Sequence, residues 1–218
     1  MIKTKCRIIK IKKETPEIII IKMLPKKRFS YKPGQFLMVN INGIKRAYSI
    51  ASSPRQRYIE LCVKIIPNGK ISRKLGVLKV GDEINIEAPY GKFIFSESKN
   101  PLFIAIGSGI APIISMLRFM KSRGTLLYGF RHDEDFAYKK EILKLKEIGK
   151  IKLNICITKP VNPDYDYFLG RVTSKLKKMN SKKYSEVYLC GPPEACNDIQ
   201  EILIKQGYPQ DKIRKEIF

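Results

Sequence analysis

One nine-residue stretch, Arg46-Ala47-Tyr48-Ser49-Ile50-Ala51-Ser52-Ser53-Pro54, decides how the rest of the chain is interpreted. Side chains of an extended strand alternate between two faces, so Arg46 and Tyr48 share one face and Ser49 lies on the other, unless a twist or bulge brings them together. A guanidinium suits a phosphate, a phenol ring suits a flat aromatic ligand, and a hydroxyl donates to a ring nitrogen. These residue types indicate a flavin site. The alternative is a sheet-edge strand whose Arg46 and Tyr48 are ordinary surface residues.

Seven further motifs follow in a fixed order over nearly the whole chain. They are Lys32-Pro33-Gly34-Gln35-Phe36, Leu61-Cys62-Val63-Lys64, Gly81-Asp82-Glu83, Pro89-Tyr90-Gly91-Lys92-Phe93, Gly107-Ser108-Gly109-Ile110-Ala111-Pro112, Cys190-Gly191-Pro192-Pro193 and Glu216-Ile217-Phe218. Together with the Arg46 stretch they resemble the plant-type ferredoxin-NADP reductase superfamily. The resemblance implies an FAD-dependent enzyme that moves electrons between NAD(P)H and a one-electron carrier, a ferredoxin or flavodoxin, by hydride transfer at flavin N5.

The resemblance also assigns roles to residues at the expected flavin site. Tyr48 and Phe218 would cover the ring, while Ser49 would donate to N5 in competition with, or in relay to, the Glu216 carboxylate. The start of a short helix predicted over 71–78 would meet the flavin phosphates, although a turn capped by Ser72 without a ligand is the alternative. The expected FAD contacts are Arg46, Tyr48, Ser49, Ile50, Gly69, Ile71, Ser72 and Phe218.

A glycine turn predicts the nucleotide site in the second half of the chain. Gly107-Ser108-Gly109 lies between a predicted strand, Leu102–Ile106, and a predicted helix, 111–123, where glycine lets the backbone approach a pyrophosphate. Ala111-Pro112 departs from the G-x-G-x-x-G pattern, but G-x-G-x-A-P resembles the nicotinamide-nucleotide loop of the superfamily. The expected NAD(P) contacts are Gly107, Gly109, Ala111, Pro112, Arg131, Tyr138, Lys159, Arg171, Cys190, Gly191 and Pro192.

Cations in the predicted loops favour NADP(H) over NAD(H). Arg131, Lys159 and Arg171 follow predicted strands, where a 2'-phosphate would be bound, and no acidic residue stands directly after Phe130 to bind a free 2'-hydroxyl. The opposing interpretation is that these cations are simply solvated. The resemblance completes the catalytic set, which is Ser49, Cys190, Glu216 and Phe218. A frayed terminus is the alternative for Phe218.

The order of predicted elements divides the 218 residues into two domains. Residues 1–98 contain short β-rich runs separated by turns, which predict an antiparallel barrel or sandwich. Residues 99–218 alternate strands and helices, including a helix over 134–148, which predicts a parallel sheet covered on both faces. The resemblance implies that the first domain is a Greek-key barrel that binds FAD and that the second is a doubly wound sheet that binds NAD(P).

The net charge bears on partners. The chain has 43 Lys and Arg against 20 Asp and Glu, a formal charge of +23, which attracts an acidic electron carrier such as a ferredoxin or flavodoxin. The lysines are spread along the chain and accompany no nucleic-acid-binding motif, which argues against nucleic acid. A general Lys and Ile bias in composition is the alternative explanation.

Cysteines and apolar runs bear on metals and location. Five scattered cysteines without a C-x-x-C pair predict reduced thiols and no metal or cluster, and the carrier is expected to be a separate protein.

The longest apolar run, 102–117, is too short for a membrane span, and the N-terminus shows no signal-peptide pattern. The expectation is a cytoplasmic protein with no membrane contact, for which a monomeric state is compatible with the sequence.

Two other functions remain open at this point. The first is NAD(P)H-dependent reduction of free flavin, ferric iron or a cytochrome. The second is a non-catalytic flavin or nucleotide sensor that uses the positive charge to bind nucleic acid. The joint presence of Tyr48, Ser49, Cys190, Glu216 and Phe218 argues against the sensor, because a binding module needs no hydride-transfer residues.

Overall fold

The computed structural model describes residues 1–161 and 166–218, and the chain divides into two compact units. The first unit comprises residues 1–95 and 114–119, and the second comprises residues 96–113 and 120–218. The sequence-based boundary between residues 98 and 99 stays a prediction about independent domains, because compactness alone does not define a folding unit.

The first unit is built on a six-stranded antiparallel sheet. Its elements in chain order are β1 (Ile2–Lys13), β2 (Ile18–Pro25), β3 (Phe36–Ile41), β4 (Ile44–Ser49), β5 (Ile59–Lys64), the short helix α1 (Ser72–Gly76) and β6 (Glu83–Tyr90). The strand order is β4-β3-β6-β1-β2-β5. An isolated antiparallel bridge between Ile50 and Leu61 joins the chain just beyond β4 to β5, so the two ends of the order meet and the sheet curves toward a barrel.

Alternation of polar and apolar residues explains the strands of this unit. In β1, Lys5 and Arg7 are exposed, whereas Cys6 and Ile8 between and beyond them are buried in the core. A period of two places one set of side chains on the core and the other in solvent. The result confirms the predicted antiparallel β class for the first half of the chain.

The second unit contains a six-stranded parallel sheet with helical connections, as predicted. Its elements are β7 (Leu102–Ile106), α2 (Ile110–Phe119), β8 (Gly124–Phe130), α3 (Lys139–Glu147), β9 (Ile151–Ile157), β10 (Phe168–Leu169), α4 (Val172–Lys177), β11 (Val187–Gly191), α5 (Pro193–Lys205) and β12 (Ile213–Ile217). Helix α2 begins in this unit, but its residues 114–119 belong to the first unit. The order is β10-β9-β8-β7-β11-β12, so the chain starts in the middle and builds outward in both directions. The carboxyl ends of β7 and β11 flank the switch point, where such sheets bind ligands.

Some predicted helix limits were wrong. The helix predicted over 134–148 begins only at Lys139, because Asp133–Asp135 form a 3-10 turn and Tyr138 has a left-handed backbone (φ 58°, ψ 24°) that cannot continue an α-helix. Helix α1 covers Ser72–Gly76 rather than 71–78, and α2 ends at Phe119 rather than 123. Within the described ranges, no helix combines the length and apolar character that crossing a membrane requires.

Candidate functional site

Strand β4 carries the residues predicted to bind a flavin, and it lies at an edge of the strand order. Its register with β3 is regular: Tyr48 pairs with Leu37 and Ser49 pairs with Phe36. Arg46 is two residues from Tyr48, so these two side chains share the face of the buried Leu37, whereas Ser49 lies on the other face. The strand itself therefore contains no bulge that would bring Tyr48 and Ser49 to the same side.

The change of direction comes one residue later, at Ile50. Its N–H donates to the carbonyl oxygen of Gln35 at 3.0 Å, and it then bridges to Leu61 on β5. Ile50 is fully buried, with 0% exposure, and it packs in the core of the first unit. The fold thus ends the regular ladder directly after Ser49.

Arg46 and Tyr48 differ in their surroundings. The Arg46 side chain is exposed, and its Nη1 donates to the Lys45 carbonyl oxygen at 2.8 Å. Tyr48 is half-buried, and burial raises the pKa of its phenol to about 12, against the opposing effect of the Arg46 charge. The phenol therefore stays protonated at neutral pH and is available as a hydrogen-bond donor.

The second predicted flavin segment is a tight turn before α1. The Ser72 hydroxyl accepts a hydrogen bond from the Ile66 N–H at 3.2 Å, and the Gly69 N–H donates to the Ile66 carbonyl oxygen at 2.9 Å. A Cβ at Gly69 would lie 2.2 Å from the Ser72 Oγ, so the turn requires glycine. Ile71 precedes the helix without a side-chain cap and is buried. The Ser72 hydroxyl thus closes the turn, and the Arg73 N–H at the helix start donates to the Gly69 carbonyl oxygen at 3.3 Å.

In the second unit, the backbones of two strand ends lie in close contact at the switch point. The residues after β7 form a 3-10 turn that starts at Gly107, whose φ is 55°. A Cβ at Gly109 would lie 2.3 Å from the Cys190 carbonyl oxygen, and a Cβ at Gly191 would lie 3.0 Å from the Ile106 Cβ. No atom of the described residues lies within 4 Å of the Cβ position at Gly107. The glycines thus pack two backbones together and leave the front of the turn open.

Three more residues complete this turn. Ala111 and Pro112 are buried in the first turn of α2, where proline lacks only an N–H that has no helical partner. The Tyr128 hydroxyl donates to the Gly107 carbonyl oxygen at 3.2 Å from β8. Ala111 and Pro112 therefore shape the turn through packing.

Strand pairing brings Cys190 and Glu216 side by side. Cys190 on β11 is in register with Glu216 on β12, and Gly191 is in register with Ile217. Burial raises the pKa of the Cys190 thiol well above its ordinary value, with the Glu216 and Cys196 charges acting in the same direction. Burial also raises the pKa of Glu216 to about 7.

The Glu216 carboxylate has an unsatisfied oxygen. Its Oε2 is buried and, among the described residues, meets no hydrogen-bond partner. A buried acceptor without a partner is costly, and a ligand that donates to it removes that cost. Phe218, two residues further on, is 59% exposed, so its ring is accessible at the chain end. The orphaned oxygen fits a ligand with an amide N–H donor.

The predicted 2'-phosphate residues lie in loops at the carboxyl edge of the sheet. The Lys159 N–H donates to the Arg131 carbonyl oxygen at 2.8 Å, which joins the loops after β8 and β9. Arg171 begins α4 after β10, and all three cations are exposed. Tyr138 is 6% exposed, so most of its ring is inside the unit. The Nδ1 of His132 lies 3.1 Å from the Lys159 carbonyl oxygen.

Sequence reasoning missed one group of buried polar residues in the first unit. Glu60 on β5 and Arg118 on α2 form an ion pair of 2.8 Å, and Ser115 donates to the Ser52 carbonyl oxygen at 2.6 Å. The only signal was that Ser52 belongs to the Arg46 stretch. No motif marks Glu60, Ser115 or Arg118.

An antiparallel unit with this edge strand and a parallel sheet with a glycine turn at its switch point define a flavin- and nicotinamide-nucleotide-binding oxidoreductase. A family model described as "Oxidoreductase FAD-binding domain" matches residues 5–95, and one described as "Oxidoreductase NAD-binding domain" matches residues 103–201. The chain belongs to the ferredoxin-NADP reductase family, and it contains both the FAD-binding and the NAD-binding domain of such oxidoreductases.

Named relatives agree with this assignment. The chain is 30% identical over 200 residues to sulfhydrogenase 1 subunit gamma of Pyrococcus furiosus, covering 85% of this chain and 68% of that protein. It is 30% identical over 230 residues to the reductase component of propane 2-monooxygenase from Mycolicibacterium goodii, covering 97% of this chain. The chain spans only 61% to 66% of the length of three such reductase components.

A solved structure supports the fold. A ferredoxin NADP+ reductase from Neisseria gonorrhoeae with bound FAD and NADP superposes with a TM-score of 0.85 at 24% identity. The match covers 99% of this chain and 98% of that one. At this identity, the similarity shows a shared fold.

Proposed function

We propose that the protein is an FAD-dependent reductase that takes electrons from NADPH in preference to NADH and passes them to an acidic one-electron carrier, a ferredoxin or flavodoxin. The observation that carries the proposal is the register of Cys190 with Glu216 beside the glycine turn at the switch point, since the buried Glu216 Oε2 has no hydrogen-bond partner among the described residues. Bound FAD supplies the chemistry, since it accepts a hydride from the nicotinamide and releases electrons singly.

The donor set of the first unit fits a flavin nucleotide. Arg46 would bind a phosphate oxygen, the Tyr48 ring would cover one face of the isoalloxazine, and Ser49 would donate to N5. Ile50 would set the exit of the strand beside the ring. The backbone of Gly69, Ile71 and Ser72 would bind the flavin phosphates, as helix starts bind anions.

The second unit fits a nicotinamide nucleotide. The turn of Gly107 and Gly109, shaped by Ala111 and Pro112, would bind the pyrophosphate, and Gly191 and Pro192 would border the nicotinamide. Cys190 would lie beside the nicotinamide. Glu216 would accept from its carboxamide or hold a proton at its carboxylate near neutral pH. Phe218 would cover the flavin until the nicotinamide enters.

The preference for NADPH rests on charge. Arg131, Lys159 and Arg171 offer three exposed cations at the carboxyl edge, and a 2'-phosphate is the group that distinguishes the two coenzymes. Tyr138 would pack near the adenine end. Every cation in so basic a chain attracts anions, so the titration below compares NADPH with NADH directly.

Charge and relatives support the carrier. A net charge of +23 attracts an acidic protein, and the relatives include reductase components and a hydrogenase subunit, which by name work with other proteins. All five cysteines are buried and none of them forms a disulfide, which suits a reducing compartment such as the cytoplasm. We further propose that the isolated chain is a monomer with a barrel domain at 1–98 and a nucleotide domain at 99–218.

The test is an anaerobic titration of the FAD-loaded protein with NADPH and with NADH, followed by visible absorbance. Bleaching of the flavin band at lower concentrations of NADPH than NADH is expected. Subsequent addition of oxidised ferredoxin, free FMN, ferric citrate or cytochrome identifies the acceptor by the rate of flavin reoxidation. A protein that binds no flavin, or whose flavin neither nucleotide bleaches, would contradict the proposal, and salt-sensitive nucleic-acid binding by such a protein would favour the sensor instead.

A further inference from the structure

The segment that follows β4 is held both by β5 and by groups on other elements. Because β4 lies at the end of the strand order, Tyr48 and Ser49 pair in a ladder with β3 alone among the described residues. Beyond Ile50, which bridges to Leu61, the chain continues into Ala51 and Ser52. Both of these residues are fully buried, with 0% exposure.

One cation holds the backbone of Ala51. The Arg118 Nη1 donates to the Ala51 carbonyl oxygen at 2.8 Å, and the same nitrogen donates to the Glu60 Oε1 at 2.8 Å. The Ala51 N–H in turn donates to the Glu60 carbonyl oxygen at 2.8 Å. Arg118 and Glu60 therefore fix Ala51 from both its carbonyl and its amide side.

Neutral hydroxyl groups hold Ser52. The Ser115 hydroxyl and the Tyr31 hydroxyl donate to the Ser52 carbonyl oxygen at 2.6 and 3.1 Å. The Ser52 Oγ accepts from the Glu60 N–H at 3.0 Å and lies 2.9 Å from the Tyr31 hydroxyl. Burial raises the pKa of Tyr31 to about 12, so this phenol keeps its proton as a donor.

Stability alone does not explain a buried ion pair here. The Glu60 side chain is 1% exposed and that of Arg118 is 13% exposed. The desolvation free energy of two buried charges is about as large as their attraction, so such a pair contributes little net stability. A buried pair that also binds a third group instead fixes the position of that group. The third group here is the Ala51 carbonyl. Lys22 offers a contrast, because it approaches the Glu60 Oε2 at 3.4 Å and bonds to the Tyr58 hydroxyl rather than to the flavin strand.

We propose that Arg118 is a positioning residue for flavin reduction: by joining the Ala51 carbonyl to Glu60, it fixes the chain just beyond β4 and thereby how Ser49 and Tyr48 face the flavin. Ser115 performs the same task for Ser52 through a neutral hydrogen bond. The inference rests on the proposed flavin site at β4. It adds residues that contact neither cofactor in the proposal and act through the backbone.

A pair of matched variants tests the role, since Arg118→Met and Lys22→Met each remove one cation from Glu60. The measurements are thermal unfolding, FAD per chain, the visible circular dichroism of the flavin, and the limiting rate and nucleotide Kd of anaerobic flavin reduction. Arg118→Met is expected to lower the limiting rate about tenfold and to change the flavin dichroism at unchanged nucleotide Kd, because small misplacements of reacting groups are costly. Lys22→Met is expected to keep the rate within about twofold.

Equal rates in the two variants, at any difference in unfolding temperature, would overturn the positioning role. If Arg118→Met does not fold, Ser115→Ala replaces it, because this change removes a donor to Ser52 without leaving a buried charge unpaired. A flavin reduction rate equal to that of the wild type would then overturn the proposal. A several-fold slower rate with altered flavin dichroism would support it. A wild-type protein that binds no flavin overturns the proposed function together with this inference. Normal wild-type reduction with unaffected variants overturns only the inference.

Discussion

The two units build their candidate sites from different parts of the chain, one from side chains and the other from the backbone. In the first, side chains on an edge strand, Arg46, Tyr48 and Ser49, offer the chemistry, and a buried network behind Ala51 holds the strand end. In the second, the backbone dominates, because Gly109 lies against Cys190 where no side chain fits. A side-chain site loses function one group at a time, whereas a backbone site fails as a whole when a single Cβ is added.

The largest effect is expected from a Cβ at the switch point. Gly109→Ala would place a carbon 2.3 Å from the Cys190 carbonyl oxygen, so one of two packed backbones must move. We expect loss of measurable nucleotide binding and a drop of about 1–3 kcal/mol in unfolding free energy, with FAD retained. Calorimetric nucleotide titration and denaturant unfolding measure the two effects.

Gly149→Asn is the matched control for that change. Gly149 has a φ of 69° and nothing within 4 Å of its Cβ position, and asparagine tolerates the left-handed conformation. Its nucleotide affinity should match that of the wild type. Tight nucleotide binding by Gly109→Ala would show that the backbone contact does not shape the site.

The next effect is expected at the flavin phosphate. Arg46→Ala should raise the Kd for FAD roughly tenfold to a hundredfold, because hydrogen bonds to charged groups contribute about 1.5–3 kcal/mol. Lys45→Ala is the control, since Lys45 lies on the opposite face and pairs with Glu87 at 2.7 Å. Fluorescence titration of the apoprotein with FAD separates them, and equal losses in both variants would reduce the role of Arg46 to general surface charge.

A smaller, kinetic effect is expected from the hydroxyl near N5. Ser49→Ala should slow flavin reduction about fivefold while FAD stays bound, because one hydrogen bond of about 1 kcal/mol is lost at the reacting ring. Ser49→Thr keeps the hydroxyl and should recover most of the rate. Stopped-flow reduction with saturating NADPH measures both, and an Ala variant as fast as the wild type would exclude Ser49 from the reaction.

The last effect concerns pH and Glu216, and it is expected in stability rather than in catalysis. Burial raises its pKa from 4.5 to about 7, so the native state favours the protonated carboxyl. The associated stability is fully present below the unfolded value and is lost as pH rises through about 7. Glu216→Gln should therefore show a smaller fall in Tm between about pH 5 and about pH 8 than the wild type.

Asp211→Asn controls for the loss of one negative charge, because Asp211 is an exposed carboxylate just before β12. This control should keep the wild-type difference in Tm. A Glu216→Gln variant with the same pH dependence as the wild type would mean that Glu216 titrates as an ordinary surface acid.

Local sequence patterns predicted much of this fold, because many of its elements depend only on residues that are neighbours in the chain. Alternation in β1, the glycine turn after β7 and the sequence of strands and helices all follow from neighbouring residues. The same reasoning failed at the start of α3, where amphipathic spacing continued through Asp133–Asp135 although Tyr138 takes a left-handed backbone. Periodicity reports which face is apolar and does not report where the backbone turns.

The sequence by itself determined the two fold classes, the flavin motif at 46–54 and the glycine turn at 107–109, since each depends on residues close together in the chain. Tertiary structure alone decided that Cys190 meets Glu216 and that Arg118 reaches both Glu60 and Ala51. Those partners are 26, 58 and 67 residues apart in the chain, and only strand order and packing bring them together. Burial then changes their chemistry, because a carboxyl group such as Glu216 acquires a raised pKa only when the fold removes it from water.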